Sequence, residues 1–201
     1  MHALHLQRIF FLLIVALAIF SHELSSQEIA IPVDLQVSLF AKIVSFDRKF
    51  PERAGNEMVI GVVYQNIFRN SLVAKEQFCS SLENISDGKI SGILFRYVPI
   101  DISEKSNLQQ IVESENIDVL YICPLRAIEL ETIITASRTH RVLTFTGVPE
   151  YVERGISTGV GLKGNKPQIL INLPASKAEG IEYTSQLLKL AKVFSSSHPG
   201  E

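Results

Sequence analysis

Tryptophan is absent from the 201-residue chain, and cysteine and histidine are scarce, with two and five residues. After residue 26, Cys79, Cys123, His140 and His198 are the only members of these two residue types that remain. They form no C-x-x-C or H-E-x-x-H spacing, the arrangements that hold structural or catalytic zinc. We therefore expect no metal site and no cofactor.

Long runs of one charge are also missing. The 19 Lys and Arg residues against 21 Asp and Glu residues leave a net charge of −2, so the basic footprint of a nucleic-acid-binding protein is absent. Hydrophobic residues make up 46% of the chain, which is enough to bury a core and argues against disorder. The composition indicates a folded chain without a nucleic-acid partner.

The amino terminus has the order of segments found in secretion signals. Arg8 precedes the uncharged apolar run Ile9–Phe20, and the polar stretch SHELSS follows. A membrane-spanning helix needs about 20 apolar residues, more than this run contains. We predict a signal peptide at residues 1–26, export to a bacterial periplasm or an extracellular space, a single domain at residues 27–194 and a disordered tail at 195–201.

Residues 33–46 have the apolar spacing of a helix with two apolar stripes. The first stripe comprises Val33, Val37, Phe40, Ala41 and Val44. The second comprises Leu35, Leu39, Ile43 and Phe46. A helix that is apolar over most of its circumference is buried on two sides. The second stripe therefore predicts either a core position or contact with a second copy or a partner protein.

The rest of the chain alternates between short apolar runs and amphipathic segments. Strands are predicted at residues 58–64, 92–98, 118–123 and 141–145, with helices between them. Two further strands, at 155–163 and 167–173, are joined by Gly164, Asn165 and Lys166 and predict an antiparallel hairpin. Ser176 to Glu179 has the capping-box pattern of a final helix that runs towards Phe194. The predicted fold is an α/β three-layer sandwich with a mostly parallel sheet, closed by the hairpin and the final helix.

The sequence contains fragments of catalytic motifs, but the elements around them are wrong for catalysis. Gly159, Gly161 and Gly164 spell G-x-G-x-x-G, but they lead into a strand, whereas a dinucleotide site needs a helix there. Cys123 and His140 are expected at opposite edges of the sheet, too far apart for a nucleophile and its base. We expect a protein without enzymatic activity.

Two other features are candidates for binding or redox chemistry. The crevice at the carboxyl ends of parallel strands is a common ligand site, and here the residues expected to line it are Gln65, Asn66, Tyr97, Pro124 and Arg126. A small-ligand-binding module for transport or sensing is therefore one hypothesis. In an oxidising compartment, Cys79 and Cys123 could form a disulfide, or they could remain a pair of buried thiols.

Residues 33–194 resemble the YfiR family of bacterial periplasmic proteins. The resemblance rests mainly on Asp118–Tyr121, Arg141–Thr144, Gly155, Ile171–Leu173 and Leu187–Ala191, with Phe40–Lys42 and Ile60–Val63 nearer the start. It implies a non-catalytic repressor of an inner-membrane diguanylate cyclase or related sensor, and so control of cyclic-di-GMP and biofilm. It also implies a homodimer and cysteines that respond to redox state. The family's helix usually ends in Trp-Pro, whereas this one ends in Phe46-Asp47.

Overall fold

The computed structural model describes residues 29, 31–103, 107–126 and 130–195. The predicted signal peptide at residues 1–26 and residues 196–201 of the predicted tail lie outside the described residues. None of the helices in the described part of the chain is both long enough and apolar enough to cross a membrane.

The described residues form one eight-stranded sheet with the strand order β2-β3-β1-β4-β5-β6-β7-β8. The strands are β1 (Glu57–Tyr64), β2 (Lys89–Ile90), β3 (Ile93–Asp101), β4 (Val119–Ile122), β5 (Leu143–Thr146), β6 (Thr158–Lys163), β7 (Lys166–Asn172) and β8 (Lys192–Phe194). Pairing is parallel except between β2 and β3 and between β6 and β7. The mostly parallel sheet with its carboxyl-terminal hairpin is confirmed.

Helices cover both faces of this sheet. They are α1 (Val33–Val44), α2 (Phe50–Ala54), α3 (Arg69–Glu83), α4 (Leu108–Ser114), α5 (Glu131–His140), α6 (Pro149–Glu153), α7 (Leu173–Ala178) and α8 (Ser185–Leu190). One core cluster joins the sheet to α1 and α3, and the other joins it to α4 and α5. Burial on both faces explains why β1 and β4 are continuous apolar runs and not alternating ones, whereas β5 also carries the buried Thr144 and Thr146. The three-layer arrangement is confirmed.

The end of the chain differs from the single final helix predicted from Ser176. Helix α7 begins earlier, at Leu173, and the Asn172 side chain caps it by accepting a hydrogen bond from the Ala175 amide at 3.1 Å. Glu179 closes α7 and is buried, so it does not act in a capping box. Gly180, with a φ of 76°, ends the helix. The chain then forms the short α8 and the edge strand β8, which pairs with β7.

Only part of the second apolar stripe of α1 is exposed to solvent. Ile43 is fully buried in the core, so of the two positions that the sequence left open it takes the core position and a partner cannot reach it. Leu39 and Phe46 are half-buried and pack against the same core. Leu35, with 36% of its surface exposed, is the member of the stripe that faces solvent most. Contact with α3 as well as the sheet accounts for this burial.

Candidate functional site

The predicted crevice lies at the carboxyl ends of β1 and β4. Strand β1 has β3 on one side and β4 on the other, and the chain visits β3 before it crosses to β4. The connections that leave these strand ends therefore run in opposite directions and open a crevice between them, as in other doubly wound sheets. Gln65 follows β1, and Cys123 and Pro124 follow β4, so the sequence placed these three residues correctly at this edge.

Gln65 spans this crevice with its own side chain. Its Nε2 atom donates to the Arg126 carbonyl at 3.0 Å, and the Arg126 amide donates back to Gln65 Oε1 at 2.6 Å. The Gln65 amide is held by the Ser71 hydroxyl at 2.9 Å. Gln65 and Pro124 are buried, whereas Arg126 is exposed. The structure therefore brings three predicted residues together, and a side chain of the protein fills the space between the two loops.

Asp101 joins the loop after β1 to the end of β3. Its Oδ1 atom accepts hydrogen bonds from the Asn66 amide at 3.1 Å, the Ser103 amide at 2.9 Å and the Ser103 hydroxyl at 2.6 Å. Desolvation acts to raise the pKa of Asp101, but these hydrogen bonds outweigh it and hold the pKa below its ordinary value. Asn66, another predicted residue, therefore lies at this edge through its backbone contact with Asp101.

Asp101 and Ser103 were missed from the sequence because the predicted strand stopped at residue 98. In the structure β3 continues through Pro99 to Asp101. The neighbouring strand β2 pairs only with Ile93 and Leu94, so Pro99 lies on an edge where a missing backbone donor is tolerated. The alternating apolar residues Val98 and Ile100 on either side of Pro99 are the signal that would have extended the strand.

Tyr97 does not belong to the crevice. It pairs with Ile60, four residues before the end of β1, whereas Asp101 pairs with Tyr64 at that end. The Tyr97 hydroxyl donates to the Glu83 carboxylate at the end of α3. This hydrogen bond, with a contribution from burial, raises the pKa of Tyr97 to about 12. Tyr97 therefore fastens α3 to β3.

Both cysteines are free and buried in this structure. Desolvation raises the pKa of the Cys79 thiol to about 11, and it raises the pKa of Cys123 well above its ordinary value. Neither thiol is therefore an activated thiolate. The expected separation of Cys123 from His140 is confirmed, because Cys123 follows the end of β4 and His140 precedes β5, at opposite edges of parallel strands.

Exposed apolar side chains are spread over several elements. Ile67 is 80% exposed in the loop beside the crevice, and its amide donates to the Ser103 hydroxyl at 3.4 Å. Leu35 on α1 and Leu162 on the hairpin are 36% and 49% exposed. Among the described residues, no group of three or more His, Cys, Asp and Glu side chains could hold a metal ion.

These features define a mostly parallel α/β protein whose strand-end crevice is bridged by its own side chain. A family model described as YfiR/HmsC-like matches residues 34–192. The chain therefore belongs to the YfiR/HmsC-like family, and the resemblance found in the sequence is confirmed. A search of curated proteins found no significant match.

Solved structures show the same fold at low sequence identity. A domain from Streptococcus pneumonia in complex with L-Trp has a TM-score of 0.56 at 14% identity over 81% of this chain and 61% of that one. A conserved domain protein from Vibrio cholerae has a TM-score of 0.54 at 20% identity over 81% and 60% of the two chains. The ligand-free, open substrate-binding protein CD0873 from Clostridium difficile has a TM-score of 0.52 at 16% identity over 82% and 60%. This chain therefore spans about three fifths of the length of each of these proteins.

Proposed function

We propose that this protein is a non-catalytic periplasmic regulator that binds the periplasmic part of an inner-membrane diguanylate cyclase or related sensor and represses it. Through that contact it would control cyclic-di-GMP and biofilm. The observation that carries the proposal is the YfiR/HmsC-like match over residues 34–192. Export through the signal peptide at residues 1–26 and a homodimeric state are parts of the same proposal.

Leu35 is the residue of α1 that we assign to partner contact. The buried face of α1 stabilises the fold, so a partner can reach only the outer face, where Leu35 is exposed beside Asp34, Ser38 and Lys42. An isolated exposed leucine contributes little to folding but adds apolar area when a partner covers it. Replacing Leu35 with Asp should therefore weaken partner binding without unfolding the protein.

The test is capture of membrane proteins from the native host by the tagged protein, combined with measurement of intracellular cyclic-di-GMP. We expect recovery of a membrane protein with a cytoplasmic cyclase domain, and a rise in cyclic-di-GMP when the gene is deleted. Leu35→Asp should fail to restore the low level. Leu162→Asp, which changes an equally apolar exposed residue on the hairpin, is the matched control and should restore it.

Two results would refute this proposal. One is an unchanged cyclic-di-GMP level after deletion. The other is capture of membrane proteins none of which carries a cyclase or sensor domain. If the Leu35 and Leu162 variants fail equally to restore the low cyclic-di-GMP level, the assignment of α1 to the contact surface is wrong.

The second candidate function is a periplasmic small-ligand-binding module. The crevice between Gln65 and Arg126 lies where doubly wound sheets bind ligands, and this position supports the candidate. A ligand there would have to displace the Gln65 side chain from the Arg126 backbone. Native mass spectrometry of protein purified from the host would show a retained small molecule, and Gln65→Ala should change its retention. A ligand-free protein that still lowers cyclic-di-GMP would exclude this candidate.

A further inference from the structure

A second concave region lies at the amino ends of the strands, opposite the crevice. It consists of two adjoining cavities of about 290 and 380 Å³ that share Lys49, Arg141 and Gly180 in their walls. We call this region the amino-edge cleft. Its walls come from α2 and the residue before it, from the end of α5, and from the last turn of α7 with the segment that follows it.

Four basic side chains from three separate segments line the amino-edge cleft: Lys49, Arg53, Arg141 and Lys177. The other ionisable residues in its walls are Glu52, Glu179, Glu182 and His140. Glu179 accepts hydrogen bonds from Thr144 and Ser137, so it is occupied within the protein. A group of cations around a concave surface, in a chain with a net charge of −2, attracts an anion.

Arg53 has hydrogen-bonding capacity that the described residues do not satisfy. Its Nη2 atom lies 2.9 Å from Asp47 Oδ2, but its Nε and Nη1 atoms are buried without a hydrogen-bond partner. Asp47 is already occupied, because it also accepts from the Lys49 amide and the Glu182 amide, each at 3.1 Å. Because these two nitrogens are covered by protein atoms, Arg53 contributes positive charge to this wall and does not offer a free donor to a ligand.

Arg141 and Lys177 also lack an acidic partner among the described residues. The aliphatic stem of Arg141 lies over Gly180, where an added Cβ atom would come within 3.6 Å of it. That distance is ordinary van der Waals contact, and Arg141 itself is exposed and lines both cavities. Lys49 is paired with Glu182 at 2.5 Å, an exposed ion pair of the kind that contributes little stability and exchanges readily.

We propose that the amino-edge cleft binds a small anionic ligand through a carboxylate or phosphate group, held by Arg141 and Lys177 with Arg53 at the wall. Arginine forks match both anions, and hydrogen bonds between charged groups are the strongest that proteins make. The cavity volumes lie at the low end of the range for ligand sites, roughly 300–1,000 Å³, which favours a small molecule over a macromolecule. Glu182 competes with the anion for Lys49.

The test is calorimetric titration of the purified protein with inorganic phosphate and, separately, with succinate, at constant ionic strength maintained with chloride. We expect saturable binding of one or both, and the preferred probe identifies the group recognised. Arg141→Met and Lys177→Met should each weaken binding by about tenfold or more, since each removes a charged hydrogen bond. Lys166→Met is the matched control, because Lys166 is an exposed lysine at the hairpin turn, at the opposite edge of the sheet.

Glu182→Gln should change the affinity for the anion in the opposite direction to Arg141→Met and Lys177→Met. It frees Lys49 and removes a negative charge, so the same anion should bind more tightly. The inference is overturned if neither probe binds, if Lys166→Met weakens binding as much as Arg141→Met does, or if Glu182→Gln weakens it. Unfolding temperatures of all variants, which change exposed side chains, check that the fold is retained.

Discussion

Glu179 is the residue whose environment differs most from what its sequence position suggests. Both of its carboxylate oxygens accept hydrogen bonds, from the Thr144 amide at 2.9 Å, the Thr144 hydroxyl at 2.7 Å and the Ser137 hydroxyl at 3.0 Å. Burial nevertheless dominates and raises the pKa of Glu179 to about 7 from an ordinary value of 4.5. The side chain therefore links α5, β5 and the end of α7 while retaining a proton over part of the physiological pH range.

This burial predicts pH-dependent stability. Between pH 4.5 and 7 the folded state retains the proton that the unfolded state has lost, so the free energy of unfolding falls as pH rises. The total decrease across this window is about 3 kcal/mol. Urea denaturation at a series of pH values should show this decrease in the wild type and not in Glu179→Gln. The exposed neighbour Glu182→Gln should behave like the wild type, and an unchanged slope in Glu179→Gln would contradict the assignment.

Gly147 is the second residue whose role depends on a distant contact. A Cβ atom there would lie 2.3 to 2.5 Å from the Gln36 amide group. That amide accepts from the buried Tyr121 hydroxyl at 2.9 Å and donates to the Ile31 carbonyl at 2.9 Å. Gly147→Ala should therefore displace Gln36 and lower the free energy of unfolding by about 3 kcal/mol.

A double-mutant cycle with Gln36→Ala tests this explanation. If the clash with Gln36 is the cause, Gly147→Ala should cost much less in the Gln36→Ala background, so the two effects should not add. Additive effects, measured by chemical denaturation, would show that the glycine is needed for another reason.

At the scale of elements, the strands differ in their stability against local unfolding. Strand β4 is buried along its whole length between β1 and β5, whereas β8 is an edge strand of three residues with an exposed lysine. Amides in β4 should exchange with solvent only through global unfolding, and amides in β8 through local fraying. Hydrogen exchange measured by NMR should show this contrast. Equal protection of both strands would mean that β8 is covered by something other than β7.

The same contrast explains which elements the sequence predicted well. Continuous apolar runs identify β1 and β4, because burial on both faces leaves few polar residues there. The hairpin was predicted from Gly164 and Asn165 for an equally local reason, since Gly164 adopts a φ of 59°. The segment from Ser176 to Phe194 was predicted wrongly as one helix, because pairing with β7 and the turn at Gly180 outweigh its helical pattern.

At the scale of the whole molecule, the two edges of the sheet have separate features. The carboxyl edge has the crevice bridged by Gln65 and Arg126 with the exposed Ile67 beside it, and the amino edge has the cleft around Arg141. Whether Cys79 and Cys123 join in the oxidising compartment stays a prediction, since both are free thiols here.

The sequence by itself determined the α/β class and six of the eight strands in the described residues, because apolar periodicity and short turns are local properties, but it missed β2 and β8. The family followed from a resemblance of particular segments. Only the tertiary structure decided that Ile43 is core and Leu35 is surface, that Tyr97 lies away from the crevice, and that Glu179 is buried. It also assembled the amino-edge cleft from residues as far apart as Lys49 and Lys177. These outcomes depend on which distant segments come together when the sheet forms, and no local pattern encodes that.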